Sequence, residues 1–321
     1  MLLLSEADVI DLFPMQLALD QIEASFRAQG ESSTVNQPRR RILLPNVSLH
    51  YMAAAIPASN LLGMKIYVAS RRSITFLCLL YQADTGKMLA QIEADHLGRI
   101  RTGAASGVAT KYLARPDAST VGLIGSGRQA RTQLQAVSLV RKLKSAKVFS
   151  RNEERRRAFC REMSASLGIE VEPVESAEAA ARSADILITA TPTRDPVLKS
   201  EWVKAGAHVN AIGSNMENRS EVDDALLRRA AVIAVDSIEQ ARIEAGDLIQ
   251  GFAASPERWM DVIELWQIVT GARKGRGSPQ DVTFFKSEGM ALWDVAAAGA
   301  IYKRALETGR GKTLELSAPG P

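Results

Sequence analysis

A glycine-rich turn is the first place where this sequence could do chemistry. Val121 to Ile124 is apolar, and Gly125-Ser126-Gly127-Arg128-Gln129-Ala130 follows at once, opening the helix-like stretch ARTQLQAVSLV. G-x-G-x-x-A between a strand and a helix is the spacing of a dinucleotide-binding turn. Gly125 permits the tight bend, Gly127 lets a pyrophosphate approach the backbone, and Ala130 lets helix and strand pack closely. The amides of the helix N-terminus then receive the phosphates, so Gly125, Gly127, Arg128, Gln129 and Ala130 are candidate cofactor-binding residues. About 20 residues further on, at the tip of the next strand, an NAD enzyme places an acid for the ribose 2′-hydroxyl. Here the tip reads Ser150-Arg151-Asn152. A guanidinium flanked by two hydrogen-bonding side chains suits a 2′-phosphate, which favours NADP(H) over NAD(H). Thr191, the last residue of ADILITAT, completes the candidate cofactor residues in this region.

A second group of residues could anchor an acid. Lys65 lies in the apolar surround GMKIYV, where an idle ammonium is costly. Arg101 opens RTGAAS, and Arg39, Arg40 and Arg41 follow Pro38. Arginine offers a bidentate fork to a carboxylate. His50, with an ordinary pKa near 6.5, could relay a proton or serve as a hydrogen-bonded core residue. His96 and His208 have no metal-ligand spacing, and Cys78 and Cys160 form no CxxC pair, so neither a metal site nor a structural disulfide is expected.

Positioning these residues takes two textures. Ser5 followed by Asp8 is a capping pattern ahead of apolar residues at helical spacing, so the chain is expected to open in helices. From Ile42 to Leu89, short runs of Ile, Leu, Val, Tyr and Phe alternate with Pro, Asn and Gly. These read as strands, and Ala83-Asp84-Thr85-Gly86 reads as the turn of an antiparallel hairpin. After Arg101, TGAASGVATKYLA is helix-like and ends at Arg115-Pro116-Asp117. Then VGLIGSG, AKVFSR, ADILITAT, HVNAIGS and AVIAVDS alternate with Ala-, Arg- and Glu-rich stretches. That alternation predicts a parallel, doubly wound sheet. ALWDVAAAGAIYKRALETG predicts a closing helix, followed by a Gly, Ser and Pro tail expected to fray. The fold class is therefore α/β: a Rossmann-type sheet, residues 116–294, plus an α+β domain formed by residues 1–115 and 295–321.

Composition narrows the function class. Of 321 residues, 46% are hydrophobic and 24% charged, which excludes a disordered or fibrous chain. The balance of 40 basic against 36 acidic residues leaves +4, and only 5% are aromatic. A nucleic-acid reader needs a broader basic stripe with aromatics, so none is expected. The opening MLLLSEADVIDLF is interrupted by Ser5, Glu6, Asp8 and Asp11, and no apolar run approaches the ~18 residues of a membrane span. A soluble, cytoplasmic protein without membrane partners is expected.

Several segments together resemble the ornithine cyclodeaminase and mu-crystallin family: Gly63-Met64-Lys65, ADHLGRIRTGAASGVATKYLARPDA, the EAGDL stretch Glu244 to Leu248, and FFKSEGMALWDVAAA. The resemblance extends over nearly the whole chain. It implies a homodimer, a discontinuous dimerisation domain joined to the Rossmann domain, and a small amino, imino or keto acid bound in the cleft between them. It implies further that Arg101 holds the substrate carboxylate, that Lys65 stands near the reacting carbon, and that Ser287 contacts the nicotinamide carboxamide. Pro-x-Arg selects Arg40 as a third anchor, with Arg39 and Arg41 as register alternatives. His50 falls near the position of a cyclodeaminase glutamate beside the substrate amine. Asn215, on the substrate side, replaces an aspartate thought to act in ring closure, and an amide cannot be that base. The expected activity is therefore an NADP(H)-dependent oxidoreductase reducing a small α-imino or α-keto acid. An ornithine cyclodeaminase-like ammonia-lyase and a non-catalytic NADPH and small-ligand binder of mu-crystallin type are the alternatives.

Overall fold

The computed structural model describes residues 1–31 and 34–315. The tail expected to fray lies, beyond Glu315, outside the described residues. The chain divides into two compact units, Met1–Arg101 with Gly289–Pro321, and Thr102–Glu288. The breaks therefore fall at 101/102 and 288/289 rather than at 115/116 and 294/295. The first lies inside a helix, Asp95–Leu113, that is buried along most of its length. Arg115-Pro116 marks the end of that helix, and no linker composition marks the break itself.

The first unit is built on an eight-stranded sheet. Its chain opens in a short strand, Leu2–Leu4, which pairs with Met88–Glu93, and only then enters the helices Glu6–Leu12 and Met15–Gly30. The expectation of a helical start is corrected to that extent: three consecutive leucines form a strand between Met88–Glu93 and the edge strand Lys312–Thr313. Ser5 caps the first helix in a capping box with Asp8, as the sequence suggests. The long strands Val47–Ile56, Leu61–Ser70, Ile74–Gln82 and Met88–Glu93 run antiparallel in sequence order, with the hairpin turn at residues 83–86.

Register decides what this sheet presents. Met52 stands opposite Lys65, and Lys65 opposite Cys78; His50 stands opposite Tyr67, and Tyr67 opposite Phe76. Directly opposed residues share a face and the side-chain period is two, so all six lie on one face. The helix Ala291–Thr308 packs on that sheet, and Gly63 of the same face meets Val295. The opposite face carries Leu49, Tyr51, Leu62, Ile66, Val68 and Leu77, none of them buried within the described residues.

The second unit holds eight strands, all paired in parallel. Their order is Glu170–Pro173, Ser145–Phe149, Thr120–Ile124, Ile186–Thr189, His208–Ala211, Thr283–Lys286, Val232–Val235 and Ile263–Glu264. Five of these are the strands expected from sequence. Thr283–Lys286 was not anticipated, yet it lies between His208–Ala211 and Val232–Val235. It is four residues long and wholly buried, so it shows no alternation. Its C-terminal end brings Lys286 and Ser287 to the carboxyl edge of the sheet, where open α/β sheets bind their ligands.

His208 is a core residue of this unit. Its ring lies 2.9 Å from Thr283 Oγ1 and 3.2 Å from Asn210 Oδ1, whose Nδ2 donates to Thr110 Oγ1 at 3.0 Å. Because the amide oxygen only accepts, Nε2 carries the proton. Burial, helped by the Arg276 charge, pushes the pKa down to about 3. The unfolded chain takes up this proton first, near its ordinary value of 6.5. Stability is therefore present above that value and lost as pH falls towards 3, by at most about 1.4 kcal/mol per pH unit. Urea unfolding at pH 7, 6 and 5 should show a shallower acid loss in His208→Asn; equal slopes in variant and parent would remove His208 as the cause.

Candidate functional site

In the first unit three charged groups meet inside the protein. Lys65 Nζ donates to Asp294 Oδ1 at 3.1 Å, and Arg101 Nε donates to the same oxygen at 3.0 Å while Nη2 reaches Oδ2 at 3.4 Å. All three side chains are buried. Each arrives on a different element: Lys65 on Leu61–Ser70, Arg101 on Asp95–Leu113, and Asp294 in the first turn of Ala291–Thr308. The Arg101 helix is started by Glu6, whose carboxylate accepts the amides of Asp95 at 2.6 Å and His96 at 2.9 Å. The helix therefore begins before Arg101, earlier than the sequence suggests. Gly98, one turn earlier, leaves room for the lysine, since a Cβ there would stand 2.6 Å from Lys65 Nζ. Burial lowers the Lys65 pKa, Asp294 acts against that, and Arg101 and Arg39 add to the lowering.

The third arginine is a question of register. Arg40 pairs with Tyr51 and is exposed on the face away from Lys65. Arg41 pairs with His50, and Arg39, two residues before it, is buried with Nη2 donating to the Gly289 carbonyl at 3.3 Å. The choice of Arg40 is thereby corrected: strand alternation puts its neighbours, Arg39 and Arg41, on the lysine side. His50 is buried, stacked on Tyr67 at 4.3 Å between ring centroids, with Nε2 2.8 Å from Ser48 Oγ. Burial, then the charges of Arg41 and Arg39, push its pKa down to about 4. A ring that stays neutral at ordinary pH is a poor proton relay, so the relay reading gives way to a hydrogen-bonding one.

In the second unit the glycine turn has the form a dinucleotide needs. The helix Arg128–Val140 follows directly on Thr120–Ile124, and Gly127 at its N-cap supplies no capping side chain. The helix amides are thus left for a phosphate. Gly125 adopts φ +119°, and a Cβ there would stand 2.5 Å from the Ala190 carbonyl, while a Cβ on Gly127 would meet nothing within 4 Å. Ala130 is buried, whereas Arg128 and Gln129 lie in the first turn. At the strand tip Ser150 Oγ is 2.8 Å from Ser126 Oγ, which links the turn to the tip. Arg151 is exposed, and Asn152 caps the helix Glu153–Leu167 by accepting the Arg155 amide at 2.8 Å. The residues present fit a nicotinamide dinucleotide.

The carboxyl edge of the same sheet is tied by buried carboxylates. Glu221 accepts the Thr191 amide and hydroxyl, both at 2.7 Å, and the Gly213 amide at 2.6 Å. Asp247 accepts the amides of Glu221 and Val222, and pairs with Lys286 at 2.9 Å; Lys286 also donates to the Ser214 carbonyl at 2.7 Å. Burial would lower the lysine pKa, but Asp247, Glu288 and Glu221 together hold it up. Glu288 is raised to about 8 by burial, against the pull of Lys286. Ser287 Oγ donates to Asp236 at 3.1 Å. Thr191 and Ser287 thus place their hydroxyls on loop carboxylates, and Asn215 lies half-buried in the loop after His208–Ala211.

Comparison with known proteins matches residues 1–309 to the ornithine cyclodeaminase/mu-crystallin family. This chain belongs to that family. An alanine dehydrogenase of Archaeoglobus fulgidus is 32% identical over 98% of both chains. The structure of Thermococcus litoralis Delta(1)-pyrroline-2-carboxylate reductase with NADH and L-proline superposes with a TM-score of 0.94, at 37% identity over 98% of this chain and 100% of that one. An archaeal alanine dehydrogenase dimer with bound NAD gives 0.92, at 31% identity over 98% and 99%.

In this ornithine cyclodeaminase/mu-crystallin family member the residue that sequence reasoning missed is Asp294. The available signal was one acid in the otherwise apolar helix start ALWDVAAAG. Among the described residues no cluster of His, Cys, Asp and Glu could hold a metal, and no helix is long and apolar enough to cross a membrane. Removing the acid from a buried pair strands its cation and costs roughly 3–5 kcal/mol. Asp294→Asn should lower the unfolding free energy by about that much, and by clearly less in a Lys65→Met background. Additive losses in urea unfolding would mean that Lys65 and Asp294 do not depend on one another.

Proposed function

We propose that this protein is a nicotinamide-dependent reductase of small α-imino or α-keto acids, of the ketimine reductase or amino-acid dehydrogenase type. The observation that carries the reading is the buried Lys65–Asp294–Arg101 cluster, in a family whose similar members reduce pyrroline-2-carboxylate or are alanine dehydrogenases. A reduced nicotinamide, when bound, supplies the hydride. Arg101 and Arg39 attract the substrate carboxylate. Lys65 directs its ammonium at the imine nitrogen or keto oxygen, whose electron pair takes up a proton as the carbon is reduced. Ring closure with loss of ammonia would also need an acceptor for an amine proton, and Asn215 is not one.

The Thr102–Glu288 unit is assigned to the dinucleotide and the other unit to the substrate acid and to dimerisation. The apolar sheet face bearing Leu49, Tyr51, Leu62 and Val68 is what a homodimer would cover. For the cofactor, NADP(H) is proposed over NAD(H). The strand tip carries Ser150 and exposed Arg151 where an acid would select the ribose hydroxyl.

Purified protein with NADPH should oxidise it in the presence of cyclic imines, or of pyruvate with methylamine. Lys65→Ala should abolish this, and the native mass of a dilute sample should be that of two chains. Proline and ammonia released from ornithine at matching rates would favour the cyclodeaminase instead, and a stable, active monomer would remove the dimer. Separately, Arg151→Ala should weaken NADPH by roughly 1–3 kcal/mol and NADH far less. Equal losses in the two titrations would withdraw the NADP(H) preference.

A further inference from the structure

Resting on the NADP(H) reading, we propose that Arg156 is a positioning residue that makes the cofactor site discriminate a 2′-phosphate from a 2′-hydroxyl. It lies in the first turn of the helix Glu153–Leu167, just after the strand tip Ser150-Arg151-Asn152. Its Nη1 donates to the Ser150 carbonyl at 2.7 Å. The Ser150 hydroxyl in turn stands 2.8 Å from that of Ser126, which lies between the two glycines of the phosphate turn. Arg156 therefore acts on both the tip and the turn through one residue. The rest of the guanidinium is held from two sides. Nη2 donates to both carboxylate oxygens of Glu175 at 3.0 Å, and the guanidinium carbon lies 5.6 Å from the centre of the Phe149 ring.

What singles Arg156 out is a charge that the protein alone balances poorly. The residue is only 3% exposed, and a buried cation is costly unless it is well paired. Its one acid partner among the described residues, Glu175, is 77% exposed, so water screens most of that attraction. The Ser150 carbonyl offers a dipole and no charge, and Nε is buried without a hydrogen-bond partner. Position adds to the imbalance. The first turn of a helix carries the positive end of the helix dipole and suits anions, not cations. Glu153 and Glu154 in that turn are both exposed, and Glu153 is already paired with Arg157 at 2.8 Å. A positive potential is thus left under the tip. A phosphate monoester brings close to two negative charges to meet it, whereas a hydroxyl brings none. The bond to the Ser150 carbonyl has a second effect, because it fixes the backbone from which Ser150 and Arg151 present their donors. Arg151 is exposed and supplies the direct contact; Arg156 supplies the field and the fixed backbone.

The test is binding, read from nicotinamide fluorescence as NADPH or NADH is titrated into the purified protein, with 2′,5′-ADP and 5′-AMP as competitors. Arg156→Met keeps the reach of the side chain and removes its charge. It should weaken NADPH and 2′,5′-ADP by roughly tenfold, the loss of one charge-assisted interaction, and leave NADH and 5′-AMP nearly unchanged. Arg156→Lys should recover part of the lost NADPH affinity. Glu175→Gln, a change at the surface, removes the competing anion and should tighten NADPH by about twofold. Equal losses for the two cofactors in Arg156→Met would make the residue a structural staple and overturn the proposal. An NADPH-to-NADH ratio unmoved in Arg156→Met, or lowered in Glu175→Gln, does the same, and the NADP(H) reading then still stands on the preference of the parent. A parent that binds the two cofactors equally takes away that reading and this proposal together.

Discussion

One carboxylate, Asp294, stands between two buried cations, and much of the first unit exists to keep it there. Lys65 and Arg101 would repel one another in a medium of low dielectric, and neither reaches bulk water. With Asp294 Oδ1 shared between them the arrangement holds. The acid must then be delivered accurately, which explains why the helix Ala291–Thr308 is so heavily apolar around it. Trp293 packs edge-on against Phe26 at 5.4 Å and lies under the Arg101 guanidinium, and Val295, Ala297 and Ala298 are wholly buried. Those contacts supply the favourable burial that a buried ion cluster does not.

The second unit solves the same problem with the signs exchanged. Lys286 is the cation at the centre, and Asp247, Glu221 and Glu288 are the acids about it. Their oxygens also take backbone amides at residues 191, 213, 221 and 222, so the loops after three neighbouring strands are held by one set of charges. A flexible carboxyl edge would lose the pre-organisation on which a bound cofactor depends. The EAGDL and FFKSEG segments therefore act mainly through each other.

How much of this was legible in the sequence follows from the range of the physics involved. The glycine turn could be read because its requirements are local: a bend, a close approach and a bare helix end within six residues. The antiparallel strands and the 83–86 hairpin were legible for the same reason. Lys65 and Arg101 were found as cations that needed a purpose, but Asp294, which gives them one, is 229 residues from the lysine. Among three consecutive arginines only strand register tells the buried from the exposed, and that register is set by pairing with Val47–Ile56. Thr283–Lys286 escaped notice because a strand buried on both faces has no alternation to read.

The depressed pKa of Lys65 is best understood together with the charge that a substrate brings. Without an anion, burial and the nearby Arg101 and Arg39 all disfavour its ammonium, and Asp294 alone favours it. A carboxylate entering beside those arginines offsets their repulsion and adds an attraction of its own, so it raises the lysine pKa. Proton affinity and anion binding at Lys65 are then linked: an anion held beside the arginines favours its ammonium. A lysine already fully protonated by several acids, as Lys286 is, could not respond in this way. One acid shared by two cations leaves the Lys65 ammonium open to stabilisation by a further anion, which is the electrostatic consequence of a cluster with the single acid Asp294.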